Sequence, residues 1–248
     1  MDKKNFIDAI KAVKALPKRK FKQKYDFIIN LRDLNLKKPE EQIELWVQLP
    51  FDKGKPTKIG ALVGPELAEQ AKTACDLVIL HDSFPQYAAD KKKIKKTARE
   101  YDYFIAQANI MPDVAKTFGR MFGPRGKMPN PKAGCVVPPN ANLKALTEKL
   151  RKTIKVSAKL QPTIKVMVGT EDTPEEQVAD NMMAVYSNVV PKLPQETSNI
   201  RSILLKFTMS PPVRITEKGI EVPKIEELEK KTEAPAEKPK KKKTEEAK

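Results

Sequence analysis

The sequence contains few of the residues from which catalytic and metal sites are built. It has one histidine, His81, and two cysteines, Cys75 and Cys135, which lie far apart and form no CxxC pair. Neither a metal-ligand spacing nor a disulfide framework results, so we expect two small core residues in a reducing cytoplasm. A lone histidine is more often structural or at the surface than a ligand or a base. No metal and no cofactor are predicted.

Long apolar runs and phosphate-binding motifs are missing as well. The chain has no apolar stretch long enough to span a bilayer and no secretory apolar region near its N-terminus, so we expect a cytoplasmic protein without a membrane partner. A P-loop requires GxxxxGK followed by Ser or Thr, whereas Gly126-Lys127 is followed by Met128, and Met121 stands where the first glycine belongs. The GxGxxG and GxSxG motifs are also absent. These absences predict that the protein is not an enzyme.

Positive charge is what the sequence has in excess. Lys and Arg number 48 against 32 Asp and Glu, which gives a formal net charge of +16. Residues 217–248 hold ten Lys and nine Glu, a net of +1, so +15 of that charge lies on residues 1–216. A surplus of this size attracts polyanions such as nucleic acid. A basic surface that only keeps the protein soluble remains the alternative.

Apolar spacing predicts strands at both ends of the chain. Helical spacing predicts a first helix from Asp2, as its N-cap, to about Ala15. Period-two alternation at Tyr25–Leu31 and Ile43–Leu49 predicts two half-buried strands, which we expect to be antiparallel neighbours. Thr173, with Pro174 and a following glutamate, has the pattern of a capped helix start. Further strands are expected at 155–160, 163–168, 200–207 and 213–216, and the helix from Thr173 should reach about residue 190.

The middle of the chain has a different pattern. From Ile59 onward, short apolar runs alternate with helix-like stretches at 65–73, 88–100 and 142–154, which is typical of a parallel, layered α/β unit. The simplest organisation is a discontinuous domain of residues 1–57 and 156–220 with an inserted domain of residues 58–155. Residues 221–248 are mainly Lys, Glu, Pro and Ala, and we expect this charged tail to be disordered because it has little apolar surface to bury.

The segment Thr117–Gly134, TFGRMFGPRGKMPNPKAG, has the most unusual composition. It holds four of the nine glycines, three prolines and no acid. Its basic residues are Arg120, Arg125, Lys127 and Lys132. Such a segment predicts a preshaped cationic loop that meets phosphates, although a structural crossover loop fits equally well. An enzyme that acts on phosphorylated substrates through this loop is the rival from another class.

Two short segments near the chain ends carry a second signal. Lys20-Phe21 lies among basic residues just before a predicted strand, and Thr208-Met209-Ser210 follows another. An aromatic ring can stack on an unpaired base while lysine meets a phosphate, and a hydroxyl suits a ribose 2′-OH. Ordinary packing at strand ends is the alternative. A non-specific packaging protein is a further alternative for the whole chain.

These residues resemble one protein family. The segment Gly119–Gly134 resembles the signature of the universal large-subunit ribosomal protein one family, the protein of the mobile stalk beside the tRNA exit site. Ser202–Ile215, SILLKFTMSPPVRI, resembles the family's last long strand and its threonine-methionine turn, and Lys20-Phe21 falls at the family's lysine-phenylalanine pair. The length and the GPRGK form resemble archaeal or eukaryotic members.

The resemblance implies a fold and a set of partners. The fold would be α/β with two domains, a split β-α-β (RRM-like) RNA-binding domain and an inserted Rossmann-like three-layer domain without a nucleotide. The partners would be the large-subunit rRNA of the stalk, the exit-site tRNA, whose release the protein would aid, and the protein's own mRNA, which it would repress. Away from the ribosome it would be a monomer.

The resemblance also implies the RNA-binding residues. They lie mainly on the split domain and are Lys20, Phe21, Asp26, Lys159, Lys165, Ser202, Thr208, Met209 and Ser210. The family often has glycine where this chain has Ser210, so a bulkier residue stands at that contact. The basic loop with Arg120, Arg125, Lys127 and Lys132 would then be structural or a secondary contact to RNA.

Overall fold

A computed structural model describes residues 2–17, 19–216 and 219–222 of the chain. From the N-terminus its helices and strands are α1 Lys3–Lys14, β1 Lys24–Leu31, β2 Ile43–Gln48, β3 Ile59–Val63, α2 Ala68–Ala74, β4 Leu77–Leu80, α3 Phe84–Ala89, α4 Lys91–Glu100 and β5 Tyr103–Gln107. They continue with α5 Met111–Phe122, β6 Val136–Val137, α6 Leu143–Lys152, β7 Thr153–Ala158, β8 Thr163–Thr170, α7 Glu175–Val189, β9 Ile200–Phe207, β10 Val213–Thr216 and β11 Gly219–Glu221. The tail for which we expect disorder lies, beyond residue 222, outside the described residues.

The chain termini build one sheet. Its strand order is β11-β10-β9-β1-β8, and each paired neighbour is antiparallel. Residues Tyr25, Phe27 and Ile29 of β1 are buried against α1 and α7, whereas the residues between them are only partly buried. The rings of Phe6 and Phe27 meet edge to face, with their centroids 6.0 Å apart. The helices therefore cover one face of this sheet and leave the other face open.

The predicted pairing of the first two strands is wrong. Strand β1 lies between β8 and β9, whereas β2 pairs with β7 in a separate two-stranded sheet, from Ile43 opposite Ala158 to Gln48 opposite Thr153. Period-two alternation determines which face of a strand is buried, but it says nothing about the partner. Both sheets share one core, since β2 contributes Val47 and β7 contributes Val156 to the same buried cluster as Phe27.

The middle of the chain is a three-layer α/β unit, as predicted. Its parallel sheet has the order β4-β3-β5-β6, and all five residues of β3 are buried. Helices α2 and α6 cover one face with residues such as Ala71 and Leu150. Helices α3, α4 and α5 cover the other face with residues such as Ile94 and Phe118. The chain thus has the two-domain α/β fold that the resemblance implies.

Local chemistry explains three departures from the sequence predictions. Asp90 divides the stretch 88–100 into α3 and α4, because its carboxylate accepts the amides of Lys92 and Lys93. Asp2 occupies the N-cap position of α1, but its side chain makes no capping hydrogen bond. The hydroxyl of Thr173 accepts the amide of Thr170 rather than capping α7, whose N-cap residue is proline.

The segment Thr117–Gly134 is not wholly a loop. Its first third continues α5, because Val114, Phe118 and Phe122 recur every four residues and are fully buried. Only the part beyond Phe122 is irregular, and it turns at Gly126 and Gly134, whose φ angles of 63° and 73° favour glycine. The first four residues of the family signature therefore belong to a helix that packs against the core.

Candidate nucleic-acid interface

The structure joins the two terminal segments that the sequence singled out. The amide of Lys24 donates to the Thr208 hydroxyl at 3.3 Å, and the amide of Met209 donates to the Gln23 side-chain carbonyl at 3.2 Å. Gln23 is only 1% exposed, and its backbone carbonyl accepts a hydrogen bond from the amide of Glu171. Residues 20–24 and 207–210 thus form one surface, which we call the turn site.

The turn site exposes side chains that ordinary strand-end packing would bury. Phe21 is 50% exposed and Met209 is 61% exposed. Lys20 is exposed beside Phe21. An aromatic ring, a thioether and an ammonium group at one surface suit an unpaired base and its phosphate.

The two hydroxyls of the turn site differ. Thr208 is exposed, and its oxygen accepts one hydrogen bond from the Lys24 amide, which leaves its own proton to donate. Ser210 faces its own turn, because its oxygen accepts the Phe207 amide at 2.8 Å and its hydroxyl lies 3.2 Å from the Pro211 carbonyl. Thr208 is therefore the better placed of the two to meet a ribose.

Three further predicted residues share the open face of the terminal sheet. Asp26 lies on β1 between Met167 and Lys206 of the neighbouring strands. Lys165 on β8 and Ser202 on β9 face the same side of the sheet as Asp26. Lys165 lies opposite Ile28 of β1, and Ser202 lies opposite Asn30. Burial raises the pKa of the Asp26 carboxyl, although Lys206 and Lys24 act against that rise. We call this surface, from Asp26 to Ser202, the open face.

A row of polar side chains ends the open face. The Asn30 side-chain amide donates to the Ser202 hydroxyl at 2.9 Å, and the Thr163 hydroxyl donates to the Asn30 carbonyl at 3.3 Å. Asn30, Lys24 and Lys206 are site candidates that the sequence reasoning missed. The two-residue repeat of a strand would have identified Lys206, because it puts Lys206 on the same face of β9 as Ser202. Nothing in the sequence marks the buried Gln23.

Lys159 is not brought together with the other predicted residues. It follows β7, and its ammonium lies 2.7 Å from the Glu44 carboxylate, which also accepts Lys155 at 2.8 Å. Hydrogen bonds from both lysines lower the pKa of Glu44 to about 2. Lys159 thus serves as a partner of Glu44 on the two-stranded sheet.

The four basic residues of the signature segment do not form one surface. Arg120 is exposed on α5, and Lys132 is exposed on the short turn Pro131–Ala133. Arg125 and Lys127 are half-buried, and the Lys127 ammonium donates to the carbonyl of Tyr101. Burial lowers the pKa of Lys127. The predicted single cationic loop is therefore divided between two outward positions and two inward ones.

The parallel sheet offers no place for a nucleotide at its usual crevice. In such sheets ligands bind at the carboxyl ends of strands where the strand order reverses, here between β3 and β5. The Gln107 side chain occupies this position, where it accepts the Gly64 amide at 2.9 Å and donates to the Glu66 carboxylate at 3.1 Å. A carboxylate at this point repels phosphate. The crevice therefore does not support the rival enzyme reading.

Other chemical groups are inert or isolated. Burial raises the pKa of the Cys75 and Cys135 thiols to about 11, so both stay protonated at neutral pH. His81 is partly exposed and lies 3.2 Å from the Asp113 carboxylate. Within residues 2–17, 19–216 and 219–222, no group of three His, Cys, Asp or Glu side chains is placed to hold a metal. In the same residues no helix has the length and apolar content of a membrane span.

The two-domain α/β fold, the basic charge and the exposed turn site are typical of an RNA-binding protein. The model of the ribosomal protein L1p/L10e family matches residues 11–211. The large ribosomal subunit protein uL1 of Methanothermococcus thermolithotrophicus is 41% identical over 216 residues, which cover 87% of this chain and 99% of that protein. Its counterpart from Nanoarchaeum equitans is 40% identical over 213 residues, 84% of this chain and 98% of that protein. The one from Methanocaldococcus jannaschii is 37% identical over 216 residues, 87% and 96% of the two chains.

The chain belongs to the ribosomal protein L1p/L10e family, and its relatives identify it as the archaeal type. It is a structural protein of the large ribosomal subunit and not an enzyme, and it is located on the ribosome in the cytoplasm. The resemblance found in the signature and in the terminal segments is thereby confirmed.

Proposed function

We propose that the protein binds the large-subunit rRNA of the mobile stalk, near the tRNA exit site, through the turn site and the open face. The observation that carries this proposal is the union of two segments more than 180 residues apart. Their hydrogen bonds hold Phe21 and Met209 exposed beside Lys20, in the part of the chain that the family model matches.

Each group has a role set by its chemistry. Phe21 stacks on an unpaired base, and Met209 packs against the adjacent sugar. The Thr208 hydroxyl exchanges a hydrogen bond with a 2′-OH, which distinguishes RNA from DNA. Lys20 on the turn site and Lys165 on the open face neutralise phosphates. Ser210 contributes by keeping the turn in shape.

The finer roles complete the proposal. The split domain comprises residues 1–57 and 156–220, the inserted domain comprises residues 58–155, and the free protein is a monomer. On the ribosome it aids the release of deacylated tRNA, and it represses its own mRNA through a site that mimics the rRNA. The same turn site serves both RNAs, because one set of hydroxyl and stacking contacts can recognise one shared RNA shape.

A competition experiment tests the proposed function. The full chain is titrated with a labelled stalk rRNA fragment in the presence of unrelated folded RNA or duplex DNA at one salt concentration. We expect the unlabelled stalk fragment to compete at least about a thousandfold better than either, as specific complexes do. Equal competition by duplex DNA would instead identify a non-specific packaging protein.

Replacing Lys20 with alanine should change how salt weakens binding. One phosphate contact contributes about 0.7–0.9 to the slope of log K against log salt, so we expect the slope to fall by about one. The measurement is a set of binding titrations from about 50 to 200 mM salt. Lys192→Ala serves as the control, because that exposed lysine follows α7 on the covered side of the sheet. An identical slope for Lys20→Ala and the parent would mean that Lys20 meets no phosphate.

A further inference from the structure

A cleft separates the terminal sheets from the inserted domain. It has a volume of about 380 Å³. One wall carries Lys24, Lys155 and Lys165 from β1, β7 and β8, and the opposite side carries Arg125 and Lys127 beyond α5. The two walls lie close together at Gly126 on one side and Lys155 on the other. A side chain at position 126 would begin with a Cβ atom only 3.9 Å from the Lys155 ammonium. We call this space the interdomain cleft.

Cations crowd the interdomain cleft without matching anions. The segment between β2 and β3 adds Lys53 and Lys55 to the lining, in which Asp102 is the one carboxylate. Lys155 is paired with Glu44, which lies outside the lining. Among the described residues no carboxylate comes within 4.0 Å of the other lysines and arginine that line the cleft. Like charges in a partly desolvated space repel strongly, and a bound anion relieves that repulsion.

Burial and crowding both act on these lysines. Burial lowers the pKa of Lys53, Asp102 and Asp52 oppose that decrease, and Lys55 adds to it. Burial also lowers the pKa of Lys127, Asp102 opposes that decrease, and Lys55 and Arg125 add to it. The surroundings of the cleft therefore disfavour the charged forms of Lys53 and Lys127, and an anion inside the cleft would favour them.

Aromatic rings hold the lysines in place. The Lys155 ammonium lies 5.5 Å from the Trp46 ring and the Lys53 ammonium lies 5.8 Å from the Tyr103 ring, both within cation–π range. The Trp46 and Tyr103 rings are 5.9 Å apart and join the two sides of the cleft. The Trp46 indole N–H is buried and finds no acceptor among the described residues. As the single tryptophan of the chain, Trp46 reports on any change in the cleft.

The interdomain cleft is continuous with the proposed RNA surface. Lys24 belongs to both, because its amide donates to Thr208 in the turn site while the residue lines the cleft. Lys165 also belongs to both, since it stands on the open face and lines the cleft. A nucleic-acid strand that leaves the turn site therefore passes the mouth of the cleft.

We propose that the interdomain cleft is a phosphate-binding site that holds backbone phosphates of the RNA bound at the turn site. This inference rests on the proposed function, and it adds that the inserted domain contacts the same RNA as the turn site. Lys55 and Arg125 carry the contact, because neither has a carboxylate partner and both line the cleft. The basic loop thereby acquires a role through Arg125 and Lys127, whereas Arg120 and Lys132 take no part in it.

The experiment compares the full chain with the double variant Lys55→Gln/Arg125→Gln. Titration with a stalk rRNA fragment should change the Trp46 emission with the same midpoint as binding. The double variant should lower the salt slope by about two, because two backbone phosphates are no longer neutralised. Lys91→Gln/Lys95→Gln is the matched control, because it removes two exposed charges from α4, outside the cleft, and should keep the parent slope. Lys53→Gln offers a second variant in the cleft lining, outside the turn site and the open face, and we expect it to lower the slope by about one.

Free phosphate compounds distinguish the two sources of the anion. Sodium tripolyphosphate is titrated in a second arm, and we expect it to affect Trp46 emission only at concentrations far above those of the RNA. A tripolyphosphate response at low concentration, together with an unchanged RNA slope in the double variant, would overturn RNA as the occupant. An unresponsive Trp46 together with an unchanged slope would overturn the site itself. In either case selective binding of the stalk fragment by the parent would leave the proposed function intact, whereas loss of that selectivity would refute the proposed function instead.

Discussion

Replacing Phe118 with alanine is expected to destabilise the inserted domain by about 3–5 kcal/mol, the range for truncating a fully buried phenylalanine. The Phe118 ring lies 5.3 Å from the rings of Phe84 and Phe122 and 5.9 Å from that of Tyr87. Truncation removes the packing against these rings and leaves a cavity beneath α5. Denaturant unfolding followed by circular dichroism measures the change in the free energy of unfolding.

The control for this change is Leu160→Ala. Leu160 is 95% exposed, so its truncation should change the free energy of unfolding by no more than about 0.5 kcal/mol. RNA affinity of the folded Phe118 variant should stay close to that of the parent, because the turn site is built by the other domain. If Phe118→Ala left stability unchanged, the packing of α5 described above would be wrong. If it abolished RNA binding in a folded protein, the main site would lie in the inserted domain.

Replacing Thr208 with valine is expected to weaken binding of the stalk rRNA fragment by about 1–3 kcal/mol, roughly five- to 150-fold, because RNA polar groups lose their partner. Valine keeps the shape of threonine but removes both the proton that Thr208 donates and the oxygen that accepts the Lys24 amide. A gel-shift titration with the stalk fragment measures the change.

Two further variants separate recognition from local structure. Thr208→Ser keeps the hydroxyl and should restore most of the affinity. Thr73→Val makes the same substitution at an exposed threonine on α2 and should leave affinity unchanged. An unaltered affinity for Thr208→Val would remove the Thr208 hydroxyl from the proposed site. A loss of affinity in Thr208→Ser without a loss in Thr208→Val would point to the methyl group rather than the hydroxyl.

The sequence predicted which residues form the site better than it predicted how they are arranged in space. Motif resemblance identified Phe21, Thr208 and Met209, which the structure brings to one exposed surface. It also proposed Lys159, which the structure places with Glu44 instead. The difference arises because the turn residues lie in segments whose position is set by strand ends, whereas the position of Lys159 depends on which strand β7 pairs with.

The basic signature shows the same limit. Its composition predicted one cationic loop, but buried aromatic residues at helical spacing make its first part the end of α5. Arg125 and Lys127 turn inward to the interdomain cleft, and Arg120 and Lys132 face outward. Charge is a property of residue types, whereas a charged surface depends on which side chains the fold turns to the same side.

By itself the sequence determined the family, the positive charge of residues 1–216, the buried face of β1 and the layered α/β middle. These follow from residue types and from periodicities of 2 and 3.6, which are local properties of the chain. Only the tertiary structure decided that β1 lies between β8 and β9, that Gln23 links the two ends of the turn site, and that Lys24 borders both that site and the cleft. Those outcomes depend on contacts between residues far apart in sequence, and such contacts are selected by the packing of the whole core rather than by any local pattern.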